Sequence, residues 1–542
     1  MYVRLILARL ANEDRGRWVS STDEQHNGRP KRDGDANDTS SRRIVRNGTL
    51  NVLGTMIYVP LNLVTVFVLA RRLGAETLGV YFTIFAIAVV VHFILEAGIT
   101  TVLTRRIAQS ADRLRNHVAE AAGLWMLVSL CSFAAIMLCG IGWAHWKNES
   151  VPWIALSLAG VATIGRQLLE FSVGAFRGLE RFEFENVARI IQAVLFCLLS
   201  ILFVHDATGL NAAFVAFAVS NVAGGVFISL SLAWGWRCLG VRFSMPILKG
   251  WLSESIPVGF GDAVRRIAWQ IDTVLLGIFQ PAAAVGVYGI AYRPLQPLQI
   301  VPRTLASVTF PAMSRMAEED KTAPARTFGQ SVNLLWMMSL PICVAVTVYA
   351  VPLIEISAGS DFLPATVPLQ ILIWATALTF ISSQFRFIYT AIGRQRTFSR
   401  LTTSFFVIQL VLQIAFIPMW GLYGACAGRM MGEFFLVLAG LYSCHRLGIN
   451  AIPWWRMARA IPAAVLMAGL LYSVADQSRV ILAATVIGGT ALYFVLCALF
   501  GAVDRNELAH LAKFGRGVIS RIFGRRRSAA TRRESSVSDV SR

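Results

Sequence analysis

The stretch VLARRLGAETLGVYFTIFAIAVVVHFIL (residues 68–95) shows the pattern that decides the fold of this chain. One apolar block ends before Arg71, a short polar joint follows, and a second apolar block begins after Thr77. Similar blocks recur along most of the sequence. About twenty apolar residues are needed for a helix to cross a hydrocarbon core of roughly 30 Å. The pattern therefore predicts an α-helical membrane protein with many spans.

The amino-acid composition supports the same class. Of the 542 residues, 56% are hydrophobic and 15% are charged, whereas a soluble protein carries about 25% charged residues. The formal net charge is +19, which in a soluble chain would suggest nucleic acid. Here the arginines lie in the joints and tails, and no nucleic-acid motif is present. We therefore expect them to control membrane topology and to attract anionic inner-leaflet lipids.

About fourteen candidate spans follow from the apolar blocks. They cover residues 49–70, 78–103, 118–143, 151–174, 186–205, 211–236, 250–279, 284–313, 330–352, 365–391, 399–419, 421–445, 457–476 and 480–502. Lys and Arg concentrate in alternate joints, at 105–115, 177–181, 237–249, 315–326, 394–400 and 446–459. The other joints hold only Arg71, Arg72, Lys147 and Arg479. Because basic joints stay in the cytoplasm, this alternation predicts a multi-pass protein of a bacterial inner membrane with both termini cytoplasmic.

An internal repeat is visible in the sequence. The motif VLARRLGAETLGVY (residues 68–81) returns as VLLGIFQPAAAVGVY (residues 274–288), about 206 residues later. Six predicted helices separate the copies, so the two halves would be parallel lobes related by an axis along the membrane normal. The expected fold is all-α, with two six-helix lobes and an added C-terminal helix pair. The predicted parts are a disordered polar tail without a signal peptide (1–48), the lobes (49–240 and 241–446), the extra pair (447–502) and a basic amphipathic tail (503–542).

Ionisable residues inside predicted spans mark candidate functional sites. Each costs roughly 2.5–3.5 kcal/mol at mid-bilayer unless it faces a cavity or a partner. In the seventh segment, Asp262, Arg265, Arg266, Trp269 and Asp272 lie on one side of a helix. Asp262 and Arg266 can pair at i, i+4, which would leave the Arg265 guanidinium for an anionic ligand. A phosphate matches a guanidinium in charge and in bidentate geometry.

The eighth segment reads YRPLQPLQIVPR (residues 292–303) and contains three prolines. Tyr292, Gln296, Gln299 and Arg303 would share one face of an α-helix, and Arg293 lies beside them. The prolines kink the helix and free backbone carbonyls, which is tolerated only against protein or a wet cavity. We expect this segment to line a cavity. The alternative is a packed hinge whose polar groups are satisfied locally.

Three further pairs have i, i+4 spacing: His92 with Glu96, Arg166 with Glu170, and Arg429 with Glu433. The first pair could carry a coupling proton or form an interhelical hydrogen bond. The other two could be functional or simply neutralise each other. Arg386, near the cytoplasmic end of its span, is interpreted as a side chain that extends its charge to the membrane surface.

No enzyme chemistry is visible in the sequence. There is no Walker loop, no GxSxG elbow, no metal-ligand spacing and no loop long enough to house a catalytic domain. The eight cysteines lie in or beside apolar segments and form no CxxC pair, so no redox role is expected. The sequence predicts a transporter without a cofactor or metal ion, and not an enzyme.

Several stretches resemble a known transporter family. They are the motif at residues 68–81, QIDTVLLGIFQPAAAVGVYGIAYRPLQPLQIVPRTLASVTFPAMSRM (residues 270–316), SDFLPATVPLQIL (residues 360–372) and GLYGACAGRMMGEF (residues 421–434). They are similar to the polysaccharide transporter branch of the multidrug/oligosaccharidyl-lipid/polysaccharide (MOP) exporter superfamily, which includes the Wzx-type oligosaccharide flippases. The resemblance covers roughly residues 45–500 and is diffuse rather than a strict signature.

The resemblance implies two helical lobes around a central cationic cavity, in a MATE- or MOP-like fold. It also implies movement of undecaprenyl-diphosphate-linked oligosaccharide from the cytoplasmic to the periplasmic leaflet by alternating access. The diphosphate would be held by Arg265, Arg266, Arg293 and Arg303, and sugars would meet Tyr292, Gln296 and Gln299, while Asp272 stands where related sequences have an acid. The pathway would be exopolysaccharide, capsule or O-antigen (lipopolysaccharide) biosynthesis, with the polysaccharide polymerase and chain-length proteins as further partners.

Three other functions compete with this one. A cation-coupled multidrug exporter of the same superfamily depends on a carboxylate in the N-terminal lobe, and residues 48–70 contain no acid. A peptidoglycan-precursor flippase shares the helix count and the cationic cavity, so it stays open. A non-transporting scaffold of glycan assembly would leave the kinked, polar eighth segment unexplained.

Overall fold

A computed structural model describes residues 33–502, apart from 97, 150, 206–208, 237, 239, 320–323, 450–451 and 476. Side chains are described from Gly54 onward, except at 111, 262, 307–308, 311–312, 319 and 479. The predicted amphipathic tail at 503–542 lies outside the described residues, as do the first 32 residues of the predicted N-terminal tail.

The described chain is built from helices joined by short turns. The α-helices are α1 (Asp33–Glu96), α2 (Ile99–Gln109), α3 (Leu114–Lys147), α4 (Trp153–Gly178), α5 (Phe182–Phe203), α6 (Gly209–Trp236), α7 (Met245–Ala268), α8 (Ile271–Phe279), α9 (Ala282–Tyr292), α10 (Ile300–Glu319), α11 (Pro324–Val348), α12 (Ala350–Ser357), α13 (Thr366–Ala391), α14 (Gln395–Arg446), α15 (Trp454–Ser473) and α16 (Arg479–Leu499). Short 3₁₀ helices lie at Ala111–Arg113, Arg293–Gln299 and Ser360–Ala365. The predicted all-α class is confirmed.

Nine helices in the described part of the chain are long and apolar enough to cross a membrane. Two of them hold two predicted spans each, because Gly74 interrupts α1 with a φ of 69° and Gly421 interrupts α14 with a φ of 56°. Glycine adopts this left-handed conformation without a Cβ clash. The predicted spans at 250–279, 284–313 and 457–476 are helical but broken or less apolar, so the total of fourteen stays a prediction.

The first helix extends further toward the N-terminus than the sequence suggested. It begins at Asp33, inside the segment that was predicted to be a disordered tail. Once an apolar span has nucleated a helix, each added residue gains one hydrogen bond for one residue fixed, whereas the first turn fixes three residues for one bond. Polar residues can therefore continue the helix beyond the apolar block.

The second predicted span and α9 cross at very close range through two glycines. A Cβ atom built on Gly79 would lie 1.7 Å from the Ala282 carbonyl oxygen, and one built on Gly286 would lie 2.1 Å from the Ala75 carbonyl oxygen. The contact is reciprocal, because each helix offers an alanine and a glycine four residues apart. Small residues at this spacing let membrane helices approach closely. The two Gly-Val-Tyr copies of the predicted repeat therefore meet at this crossing.

The N-terminal half of α7 is anchored to the earlier helices. Trp251 is buried at 1% exposure, and its indole N–H donates to Glu120 at 3.2 Å. Arg106 lies over the Trp251 ring at 4.0 Å, and both Arg105 and Arg106 donate to the Glu254 carboxylate. These contacts fix the direction in which α7 runs toward its polar C-terminal end.

The chain divides into two compact units. One comprises Met1–Arg303 and Ala350–Cys444, and the other comprises Thr304–Tyr349 and His445–Arg542. In the second unit, the Trp336 indole donates to the Met457 carbonyl at 3.1 Å, and the Tyr349 hydroxyl donates to the Leu471 carbonyl at 3.0 Å. The candidate site described below lies in the first unit. The lobe boundaries expected from the repeat stay a prediction.

Candidate functional site

Two membrane segments are broken where the sequence predicted the site. The seventh segment stops at Ala268 and resumes at Ile271, and the eighth changes from α9 to the 3₁₀ helix Arg293–Gln299. Pro294 and Pro297 account for the second break, because a proline has no N–H for the α-helical hydrogen bond. Interrupted membrane helices are typical of substrate sites, where the freed backbone groups line a cavity.

The 3₁₀ segment changes which side chains share a face. Three residues make one turn of this helix, so Arg293, Gln296 and Gln299 align along it. Both glutamines are partly exposed, whereas Tyr292 is buried at 7% exposure. The prediction of one face running from Tyr292 through the glutamines is therefore wrong, because it assumed α-helical spacing.

Two arginines from different helices meet over one aromatic ring. The guanidinium carbon of Arg266, in the last turn of α7, lies 5.0 Å from the centre of the Phe93 ring. The guanidinium carbon of Arg166, in α4, lies 5.9 Å from the same ring. A guanidinium is attracted to the electron-rich ring face, so Phe93 holds both cations near each other.

Two further arginines extend this group. Arg303 lies exposed in α10, with its guanidinium carbon 6.0 Å from the Trp269 ring. Its charge interacts with those of Arg266 and Arg386. We call Arg166, Arg266, Arg303 and Arg386 the arginine group. Among the residues that the structure describes, none of the four forms an ion pair with an aspartate or glutamate. Their like charges repel one another. Glu96 and Glu170 offset part of the repulsion at Arg166, and Glu96 does so at Arg266, and a multivalent anion relieves it further.

The other two arginines predicted for the site have different surroundings. Arg265 takes part in an interaction within the protein, so its guanidinium is not unpartnered as the sequence suggested. The side chain of Asp262 lies outside the described residues, and so does its predicted pair with Arg266. Arg293 lies 3.8 Å and 4.9 Å over the rings of Phe82 and Phe85, and these rings fix its position beside the glutamines.

Asp272 is the centre of a buried cluster rather than part of an open surface. Its side chain has 0% exposure. One carboxylate oxygen accepts from the Tyr288 hydroxyl and, at 3.1 Å, from a guanidinium nitrogen of Arg429. The Arg429 guanidinium also lies 4.6 Å from the Tyr292 ring. Tyr292 and Asp272, both predicted to contact substrate, therefore belong to the protein interior in this conformation.

Arg429 and Glu433 attract each other's charge as their spacing predicted, but the close ion pair of Arg429 is with Asp272. Arg429 pairs with Asp272, 157 residues away in sequence, while Glu433 accepts a hydrogen bond from Ser382 at 3.1 Å. Neighbours at i, i+4 on one helix interact weakly. The Asp272 carboxylate, on another helix, forms the close ion pair with Arg429 because both charges are buried, lose their water and need full compensation.

Arg166 and Glu170 attract each other's charge, but the closest ion pair of Glu170 is with another residue. Glu170 accepts from Arg189, in α5, at 3.0 Å and 3.1 Å through its two carboxylate oxygens. Arg189 also donates to Glu185 at 3.1 Å. One guanidinium nitrogen of Arg189 thus contacts both carboxylate oxygens of Glu170, and Arg166 interacts with the charges of both Glu170 and Arg266.

The pair of His92 and Glu96 does form, with 3.6 Å between the imidazole Nε2 and a carboxylate oxygen. His92 is buried at 1% exposure, and within the described chain its Nδ1 has no hydrogen-bond partner. A cavity of about 10 Å³, lined by His92, Thr163 and Arg166, lies beside it. This volume is on the scale of one water molecule.

Sequence reasoning missed the roles of Arg189 and Arg386. Arg189 lies inside the predicted span at 186–205, and an intramembrane arginine is itself a signal of a buried partner or a cavity. Arg386 was interpreted as a residue that only reaches the membrane surface. No local pattern places it near Arg303, because that proximity depends on how α13 packs.

The broken helices around a cationic group define a polytopic membrane protein of transporter type. The chain matches the model of the polysaccharide biosynthesis protein family over residues 44–317, half of its length, and it belongs to that family. A protein of Haloferax volcanii named "Probable flippase AglR" is 22% identical over 451 residues, which cover 81% of this chain and 92% of that protein.

Solved structures share the fold at low sequence identity. The lipid II flippase MurJ, in an inward closed conformation, superimposes with a TM-score of 0.64 at 14% identity and covers 83% of this chain and 98% of its own. An inward-facing multidrug resistance transporter of the MATE family, in the MOP superfamily, gives a TM-score of 0.60 at 17% identity. The match covers 74% of this chain and 98% of that transporter. These likenesses confirm the predicted MATE- and MOP-like fold.

Proposed function

We propose that this protein flips lipid-linked oligosaccharide across a bacterial inner membrane for polysaccharide biosynthesis. The carrier would be undecaprenyl diphosphate, moved from the cytoplasmic to the periplasmic leaflet by alternating access, with both termini in the cytoplasm. Membership of the polysaccharide biosynthesis protein family and the name of the Haloferax relative support a flippase. The basic joints support the orientation and contact with anionic lipids. Handover to the polymerase and chain-length proteins would follow on the periplasmic side.

The arginine group is the observation that carries the proposal. Arg266 and Arg303 are exposed, interact with each other's charge and form no ion pair among the described residues. A diphosphate presents several oxygens that accept from guanidinium groups in bidentate geometry. Binding there would relieve the repulsion between the arginines, so the group favours a multivalent anion over a cationic drug.

The aligned 3₁₀ face extends this site toward the sugars. Gln296 and Gln299 are partly exposed beside Arg293, and amide groups can both donate to and accept from sugar hydroxyls. Tyr292 and Asp272 contribute through the buried cluster that supports α9, because neither is open to a ligand in this conformation.

Glutamine substitutions in the arginine group test the proposal. Arg266→Gln and Arg303→Gln should each reduce polymer export by about tenfold or more at normal protein abundance, because a lost charge-assisted contact to phosphate costs roughly 1.5–3 kcal/mol. Export is measured as surface polysaccharide in a strain that lacks the chromosomal copy.

Arg113→Gln is the matched control, because Arg113 is 72% exposed and its guanidinium lies 4.0 Å from the Asp112 carboxylate. It should leave export unchanged. Full export by both Arg266→Gln and Arg303→Gln, at wild-type abundance, would overturn the assignment of the anion site.

A further inference from the structure

Three basic residues on the predicted periplasmic side, Arg71, Arg72 and Lys147, donate to the ends of other helices. The Arg71 guanidinium donates to the Ile356 carbonyl and, at 3.2 Å, to the Ser357 carbonyl. Ser357 is the last residue of α12. The last carbonyls of a helix have no partner within the helix and carry its negative dipole end, so a guanidinium there acts as a charged cap.

A second set of contacts caps the end of α8 in the same way. The Lys147 ammonium donates to the Gln280 carbonyl at 2.9 Å, and the Trp143 indole donates to the Gly277 carbonyl at 2.8 Å. Both donors come from the last turns of α3. The acceptors close α8, which ends at Phe279.

All of these caps join the two predicted lobes. The donors lie within residues 49–240, and the acceptors lie within residues 241–446. The joints that meet are those after the first, third, seventh and ninth predicted spans, which the alternation of basic joints places together in the periplasm. The glycine crossing at Gly79 and Gly286 also lies at this predicted periplasmic side, because Gly79 is at the start of the second predicted span.

Arg72 provides an internal contrast to Arg71. Its guanidinium donates to the carbonyls of Ile201 and Val204, each at 2.6 Å, at the end of α5. Donor and acceptors here both lie within residues 49–240. Two neighbouring arginines therefore make the same kind of cap, but only Arg71 connects one predicted lobe to the other.

We infer that Arg71, Trp143 and Lys147 are positioning residues of a periplasmic gate, holding the two lobes together by capping α12 and α8. The inference rests on the proposed function, since alternating access requires these lobes to part on the periplasmic side when cargo is released. Caps on carbonyl groups suit a gate because water satisfies the same carbonyls as soon as the lobes separate. Opening then transfers these carbonyls from the caps to water.

Hydrogen–deuterium exchange of the whole protein in lipid nanodiscs tests this gate. In Arg71→Gln, exchange should rise by about threefold or more both at the end of α12, which Arg71 touches, and at the end of α8, which it does not touch. The second change is the diagnostic one, because a merely local cap cannot expose amides that another residue protects. Lys147→Gln should produce the reciprocal increase at the end of α12.

Arg72→Gln is the matched control and should raise exchange only at the end of α5. The gate would be overturned if the increase in exchange in Arg71→Gln stayed confined to the end of α12. It would also be overturned if exchange rose at the ends of both α12 and α8 equally in Arg71→Gln and in Arg72→Gln. The experiment contains no oligosaccharide. If this experiment overturns the gate, the proposed cargo is not affected. If transport assays overturn the proposed cargo, the exchange result on the gate still holds.

Discussion

At the scale of single residues, the sequence identified charged groups but only some of their partners. His92 and Glu96 pair as their spacing predicted, whereas Arg429 and Glu170 find partners on other helices. Spacing along one helix limits which neighbours can meet, but burial decides which contact forms. A buried charge requires complete compensation, and only tertiary packing determines which opposite charge is within reach.

The ion pair of Asp272 and Arg429 should be important for stability. Arg429→Gln leaves the Asp272 carboxylate buried without its cation, so the free energy of unfolding should fall by about 3–5 kcal/mol. Thermal unfolding of the purified protein in detergent measures this loss. The double variant Asp272→Asn with Arg429→Gln should recover part of it, because the Asp272 carboxylate is then no longer buried without its cation.

An unchanged unfolding temperature in Arg429→Gln would contradict this account of the pair. A double variant less stable than either single variant would also contradict it, because the two losses would then be independent of each other.

At the scale of elements, the apolar blocks predicted the helices but not all of their breaks. The fourth, fifth and sixth predicted spans coincide with α4, α5 and α6, because their length and hydropathy leave no other structure in a bilayer. The prolines of the eighth segment predicted a kink. They did not predict a 3₁₀ turn across Arg293–Gln299, so the shared face was assigned with the wrong spacing.

The crossing of the second predicted span with α9 should depend on Gly79. In Gly79→Ala, the added Cβ meets the backbone oxygen of Ala282, which cannot rotate away as a side chain could. The helices must separate, and overpacking of this kind costs about 1–3 kcal/mol. The unfolding temperature in detergent should fall accordingly.

Gly142→Ala is the control for this substitution. A Cβ on Gly142, in α3, would meet nothing within 4 Å, and alanine favours a helix over glycine by about 1 kcal/mol. This variant should be as stable as the wild type or slightly more stable. Equal unfolding temperatures for Gly79→Ala and Gly142→Ala would show that the close crossing is not needed.

At the scale of the whole molecule, the fold class followed from physical rules that apply to every bilayer. Long apolar blocks predicted a polytopic all-α protein, and the likenesses to MurJ and a MATE transporter confirm it. The arginine group was harder to predict. The cost of charges in membrane spans predicted Arg266 and Arg303 as site residues. The same reasoning also predicted Arg265 and Asp272, which have partners within the protein. Only the packed helices separate a charge that is available from one that is already paired.

The leaflet distribution of lipid-linked oligosaccharide in cells depleted of this protein tests the central claim most directly. The lipid fraction is extracted, its oligosaccharide is sized, and its leaflet is assigned with a membrane-impermeant periplasmic probe. A flippase predicts complete repeat units that accumulate in the cytoplasmic leaflet, that return to normal with the wild-type gene, and that persist with Arg266→Gln. An unchanged distribution in depleted cells, together with new sensitivity to cationic dyes, would contradict the account and indicate a drug exporter.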